Sequence, residues 1–141
     1  MVKQLEKLAK DTYIYAMSKD NEPVMRVASG TVVEIETYDC FLDQIKSEDT
    51  PFNEINWDQV NPATGPIYVE EAEPGDILKV EIKKIELDNE GTIATGPGLG
   101  PLGDQLSKFT IKKIPVQDGK FVYNDQLSFP LTPMVGVIGV A

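Results

Sequence analysis

Residues 107–123 read SKFTIKKIPVQDGKFVY. Apolar side chains alternate with polar ones through Phe109 and Ile111, and the phase then slips by one residue to Ile114 and Val116. A period of two is the signature of a β-strand with one face toward a core. A one-residue slip inside such a run is what a β-bulge produces. Asp118-Gly119 follows, a pair suited to a tight hairpin turn, so KFVY (120–123) is expected to return as the partner strand.

Working outward, ILKVEIKKIEL (77–87) repeats the pattern, with Leu78, Val80 and Ile82 followed by a slip to Ile85 and Leu87. Asp88-Asn89-Glu90-Gly91 lacks the downstream ligands of a calcium loop and is expected to be a hairpin turn. Upstream, TYIYAM (12–17), VMRVA (24–28), TVVEIETYD (31–39) and IYV (67–69) are short runs of strand formers separated by turn clusters. Residues 47–66 carry Pro51, Pro62 and Pro66 and read as a long irregular loop, with Trp57 expected to anchor it on the core. MVKQLEKLAK (1–10) has Val2, Leu5, Leu8 and Ala9 at helical spacing, which predicts a short helix or a frayed arm. PMVGVIGVA (133–141) is apolar on both faces and predicts a strand buried on both sides. The expectation is a single β-rich domain over 1–141, all-β or nearly so, forming a sandwich or a partly open barrel of short, bulged strands.

Composition limits the chemistry. The chain has 141 residues, 41% of them apolar, enough for one core, and a formal net charge of −10. That charge without a basic stripe argues against nucleic acid as a partner. No apolar run approaches the length of a membrane span. The alternating charges Lys3, Glu6, Lys7, Lys10 and Asp11 do not resemble a signal peptide, so a cytoplasmic location is expected. A single cysteine, Cys40, cannot build an internal disulfide framework. The chain has no histidine, which removes the Ser-His-Asp triad, the Cys-His dyad and every imidazole-based zinc site.

Alternation along residues 31–39 places Val33, Ile35, Thr37 and Asp39 on one face and Glu34 and Glu36 on the other. Asp39 therefore ends the apolar row where the strand runs out. A carboxylate there is partly desolvated and calls for a cation, a metal or several N–H donors. The plainer alternative is that Asp39 caps the loop that starts at Cys40. Gly98, Gly100 and Gly103 match G-x-G-x-x-G, but Pro97 and Pro101 interrupt and a strand follows, so nucleotide binding is rejected. Lys83, Lys84, Lys112 and Lys113 are expected at exposed sheet edges, and Cys40 as a small buried side chain.

Three stretches together resemble the acetamidase/formamidase family, metal-dependent hydrolases of short linear amides. They are Glu36-Thr37-Tyr38-Asp39-Cys40-Phe41; Asn61-Pro62-Ala63-Thr64-Gly65-Pro66-Ile67-Tyr68-Val69-Glu70 with Ala72-Glu73-Pro74-Gly75-Asp76; and Pro133 to Ala141. Their order and spacing agree with the family over nearly the whole chain. The resemblance implies that the chain corresponds to the N-terminal half of such an enzyme, with the histidine- and acid-rich segments lying beyond it. It implies that Asp39, the aspartate of the family's E-T-x-D segment, lines a metal-bearing pocket as metal ligand or catalytic group. Glu36 belongs to the same segment and is a secondary catalytic candidate, because alternation points it away from Asp39. The cofactor implied is a divalent metal, zinc first and calcium second. The implied partners are a small amide substrate and either a second copy of the chain, as in a dimer, or the missing C-terminal half. A strand apolar on both faces at the last residues fits a covering by a longer parent chain or a partner, or else burial in one compact core. A ligand-binding β-module and a structural subunit are the competing functions.

Overall fold

The computed structural model describes residues 5–140. Ten short strands and three single turns of 3₁₀ helix make up its regular structure, with no longer helix among the described residues. The all-β expectation holds, as four small sheets, none closed into a barrel. By its internal contacts the chain forms two compact units. One comprises Met1–Asp43, Asn56–Glu81 and Gly136–Ala141, the other Gln44–Ile55 and Ile82–Val135.

The first unit is built from paired short strands. β1 (Glu6–Leu8) runs parallel to β4 (Val33–Ile35), with Lys7 opposite Glu34. The helix or frayed arm expected over 1–10 is therefore a strand at 6–8, and residues 1–4 lie outside the described residues. The ladder to β4, continued by the Glu36 N–H donating to the Leu8 carbonyl at 2.9 Å, wins over a helical propensity too short to stand alone. β2 (Tyr13–Ile14) is antiparallel to β5 (Ala63–Thr64), and β3 (Met25–Val27) is parallel to β6 (Ile67–Val69). Among the described residues, Leu8 is the buried apolar side chain of this unit, at 5% exposure. Trp57 meets the Phe41 ring edge-on at 6.3 Å but stays 45% exposed, so it covers the loop less fully than expected.

The second unit is an antiparallel meander in the spatial order β10–β9–β8–β7, from β7 (Glu90–Thr95), β8 (Thr110–Gln117), β9 (Lys120–Asn124) and β10 (Leu127–Pro130). The hairpin expected at Asp118-Gly119 forms there, with φ of 50° and 71°, the left-handed pair of the turn whose twist suits a hairpin. β7 pairs β8 without interruption from Glu90 opposite Pro115 to Thr95 opposite Thr110, so no bulge lies in that stretch. The slip in the apolar pattern has another cause. Ile111 and Ile114 point to opposite faces, and both are buried, at 7% and 3% exposure. Pro115, which has no N–H to give, sits where β8 leaves β7 and takes up β9 at Val116. A register shift does occur, at Leu127/Ser128 in β10. The turn expected at Asp88–Gly91 is instead the start of β7, because the β8 ladder reaches back to Glu90.

Phe121 and Phe129 stack at 4.8 Å as register partners, and Phe52 stacks on Phe109 at 3.8 Å. Gly96 has to be glycine, because a Cβ there would overlap the Phe109 ring. With Ile45 and Ile55, the two β8 isoleucines form the unit's buried apolar set.

Two expected strands are not strands. Residues 77–87 and 133–140 join no ladder among the described residues. Ile77 is 94% exposed and Met134 76%, so the two-face burial expected at 133–140 is not met by this chain's own residues. Alternation records a demand for burial, and the demand is unmet here.

Candidate active site

Both candidate carboxylates lie in the first unit, on the connection that leaves β4. Glu34 and Glu36 share a face, as alternation requires, and grip Lys7 of the neighbouring strand at 3.0 and 2.9 Å. The hydrogen bond from Lys7 holds the Glu36 carboxyl below its ordinary range, with the Lys7 charge and the Lys10 backbone N–H adding to it. The same contacts raise Lys7 above the usual lysine value. Glu36 is thus an exposed, ion-paired group.

Asp39 stands in the loop beyond, half-buried. Its Oδ1 accepts the N–H groups of Phe41 at 2.9 Å and Asp43 at 2.8 Å, while its carbonyl accepts the N–H of Leu42 at 3.1 Å. Those bonds close a tight loop in which Leu42 and Asp43 take left-handed φ of 55° and 54°. The plainer expectation, a loop cap, is therefore realised through Oδ1. No hydrogen bond to Oδ2 is made among the described residues. The structure does not bring Asp39 and Glu36 together through any shared contact of their side chains.

The loop is framed by groups that the sequence reading did not single out. Lys10 Nζ reaches Asp43 at 2.8 Å and lies 4.3 Å over the Tyr38 ring, and its pKa is raised chiefly by the Asp43 hydrogen bond. The two residues are 33 positions apart, so no spacing signal could have found them. Cys40 is exposed, not buried as expected, and its thiol is pushed up by partial loss of solvent and then by the Asp39 charge.

Two of the three stretches quoted for the resemblance are bonded to each other. The Asn61 N–H donates to the Cys40 carbonyl at 2.7 Å, and Thr64 Oγ1 donates to the Glu36 carbonyl at 2.8 Å. The middle stretch also reaches Thr12, through the Gly65 N–H at 3.1 Å. It works as a brace on the loop that carries Asp39.

Among the described residues, no three His, Cys, Asp or Glu side chains come together as a group able to hold a metal ion. A catalytic metal takes about three protein ligands, and Asp39 with one oxygen already committed supplies at most one. The residues described do not by themselves fit a metal centre. The Gly98–Gly103 stretch packs on itself, Gly103 lying so close to the Gly98 backbone that a Cβ would come within 2.9 Å. It then passes through a 3₁₀ turn at Gly103–Gln105 into β8. Lys113 is less exposed than expected of a sheet-edge lysine, at 20%, bonded to Glu90 at 3.0 Å and to Thr92 at 2.9 Å.

A mostly β chain with an acidic loop braced by a proline-rich stretch is the class of protein that fold and loop define. The model of the Acetamidase/Formamidase family matches residues 8–141, and the chain belongs to that family. Among solved structures it is similar to a predicted acetamidase/formamidase from the thermophile Thermoanaerobacter tengcongensis. The two are 49% identical with a TM-score of 0.93, over 96% of this chain and 45% of that one. It is also similar to the acetamidase from Bacillus halodurans, at 43% identity and a TM-score of 0.90, over 93% of this chain and 44% of that one. An acetamidase from Yersinia enterocolitica, 20% identical with a TM-score of 0.68, shares the fold. The chain thus spans under half the length of the solved structures it matches. No curated protein matches it. No helix among the described residues is long and apolar enough to cross a membrane.

Proposed function

We propose that the chain is part of a cytoplasmic amidohydrolase that splits the C–N bond of short linear amides into a carboxylate and ammonia. The single observation that carries this reading is the 43% and 49% identity to two acetamidase-family structures across almost the whole of this chain. The local geometry is compatible with it. Asp39 is a carboxylate whose Oδ1 is fixed by two N–H groups, so its Oδ2 has a set direction. Such a group can accept a proton from an attacking water, provided the substrate reaches it. Water adds to the amide carbon, its proton goes to the carboxylate, and a proton must then reach the departing nitrogen. The acid for that last step, and any metal set, would come from side chains outside the described residues. Glu36, already paired with Lys7, holds the strand and loop in register in this reading.

The test measures ammonia release from formamide and acetamide. It compares this chain, the chain joined to the remaining length of the Thermoanaerobacter tengcongensis relative, and that joined protein carrying Asp39→Asn. Activity of the joined protein, lowered at least about 100-fold by the substitution, is expected. A joined protein that folds and is inert toward both amides refutes the activity. One that keeps its rate within about threefold after Asp39→Asn refutes the role of Asp39.

A further inference from the structure

One ammonium group reaches both ends of the loop that carries Asp39. Lys10 lies just past β1, on backbone tied to the start of that loop by the Glu36 N–H donating to the Leu8 carbonyl at 2.9 Å. Its Nζ donates to Asp43 Oδ2 at 2.8 Å and sits 4.3 Å from the centroid of the Tyr38 ring. Tyr38 directly precedes Asp39, and Asp43 closes the loop by giving its N–H to Asp39 Oδ1 at 2.8 Å. The Tyr38 ring is held a second time, by Tyr13 of β2, edge-on at 5.6 Å. Tyr13 in turn pairs with Thr64, whose Oγ1 donates to the Glu36 carbonyl at 2.8 Å. All of these groups belong to the first unit.

Overall stability is a weak account of this arrangement. The Lys10 and Asp43 side chains are 43% and 37% exposed, and an ion pair so open to water contributes little to folding. A lysine over an exposed ring adds a similarly small amount. The constraint is local. Leu42 and Asp43 take left-handed φ of 55° and 54°, which residues other than glycine keep only where surrounding contacts over-determine it. The two N–H bonds to Asp39 Oδ1 constrain the loop from inside, and Lys10 adds a constraint from a separate stretch of chain. With both ends held, the loop resists turning as a body. We propose that Lys10 is a positioning residue of the candidate site: acting through Asp43 and Tyr38, it fixes the direction in which Asp39 presents Oδ2. Its effect on turnover rests on the amidase reading, and its effect on the loop does not. Lys10 touches no reacting atom in this account. Its loss therefore lowers the rate of the step in which Asp39 accepts a proton and leaves substrate capture nearly intact, because a misplacement of about 1 Å at a reacting group costs on the order of 100-fold.

The experiment substitutes Lys10→Met, which keeps the stem and removes the charge, and Lys10→Arg, which keeps the charge. Asp43→Asn breaks the same pair from the other side and keeps the backbone N–H, so it covers a failure of Lys10→Met to fold. Amide hydrogen exchange is read by NMR in the joined protein of the preceding test, and ammonia release is measured on the same samples. In Lys10→Met and Asp43→Asn the Phe41 and Asp43 amides should exchange at least about 10-fold faster. The Glu70 amide, bonded to the Val27 carbonyl at 2.8 Å in the same unit, should hold its rate. In turnover, kcat should fall at least about 10-fold with KM within about threefold, and Lys10→Arg should recover most of the loss. Added to Asp39→Asn, Lys10→Met should lower the residual rate less than about threefold, because the group it positions is already gone. Unchanged exchange at Phe41 and Asp43 overturns the proposal. So does equal acceleration at Glu70, which would make Lys10 a contributor to general stability. In an active joined protein, a kcat within about threefold of the parent, or a full additive loss on top of Asp39→Asn, overturns it as well. A joined protein inert toward both amides removes the amidase reading, and the exchange rates alone then decide whether Lys10 sets the loop.

Discussion

Replacing Asp39 by alanine and by asparagine separates what its two oxygens do. Oδ1 accepts two N–H groups, at 2.9 and 2.8 Å, and those bonds hold Leu42 and Asp43 at left-handed φ of 55° and 54°. A hydrogen bond to a charged acceptor contributes about 1.5–3 kcal/mol when well buried. A side-chain cap of comparable exposure contributes about 0.5–2 kcal/mol. For a half-buried loop the lower range governs, and Asp39→Ala should cost about 2 kcal/mol. The left-handed residues, each disfavoured by about 1–2 kcal/mol for a non-glycine side chain, would then relax. Asparagine keeps an oxygen in the Oδ1 position, so Asp39→Asn should stay within about 1 kcal/mol of the parent. In urea, with a slope of about 2 kcal/mol/M, the alanine variant should lose about 1 M in its midpoint and the asparagine variant less than half of that. An alanine variant indistinguishable from the parent would show that the two N–H bonds contribute nothing to the loop. An asparagine variant as weak as alanine would show that charge, and not acceptor geometry, holds the loop. In either case the argument that Asp39 is presented with one oxygen fixed and one open would fail.

Ile114→Ala, at a side chain 3% exposed in a unit with few buried aliphatic groups, should destabilise by about 2–5 kcal/mol in denaturant unfolding. A cost under 1 kcal/mol would contradict the packing described. Glu36 titrates below the ordinary carboxylate range because of Lys7, so its contribution is complete above that range and fades as pH falls through its folded pKa. The destabilisation by Glu36→Gln should therefore be present at pH 7, shrink progressively as pH falls below the ordinary carboxylate range and weaken in high salt, as followed by thermal unfolding. Gly119→Ala, at φ of 71° in the β8–β9 turn, should cost about 1 kcal/mol and loosen amide protection in β9. Cys40, whose thiol is raised by lost solvent and the Asp39 charge, should be alkylated at pH 8 more slowly than a cysteine in a short peptide, and faster in Asp39→Asn than in the parent.

What the sequence disclosed and what it hid follow one physical division. Asp118-Gly119 specified its hairpin because turn geometry is local: two adjacent residues that tolerate positive φ suffice. The common face of Glu34 and Glu36 was legible for the same reason, since alternation is a property of one strand. Lys10 with Asp43 was not legible, because a pair 33 residues apart exists only once the chain has folded. Apolar periodicity sits between these cases. It states that a face is to be buried and does not state by what. At 111–116 the phase slip suggested a bulge. The structure keeps the ladder continuous and buries Ile111 and Ile114 on opposite faces, so the slip recorded burial on both sides. At 77–87 and 133–140 the same kind of pattern produced no ladder among the described residues. Ile82 and Ile138 remain 54% and 62% exposed there. The two outcomes differ in partners and not in propensity, because β8 finds β7 and β9 within a few tens of residues while these segments find neither. A strand signal that is strong in sequence and unpaired in the fold is thus informative in its own right. It marks where, among the described residues, pattern and pairing part.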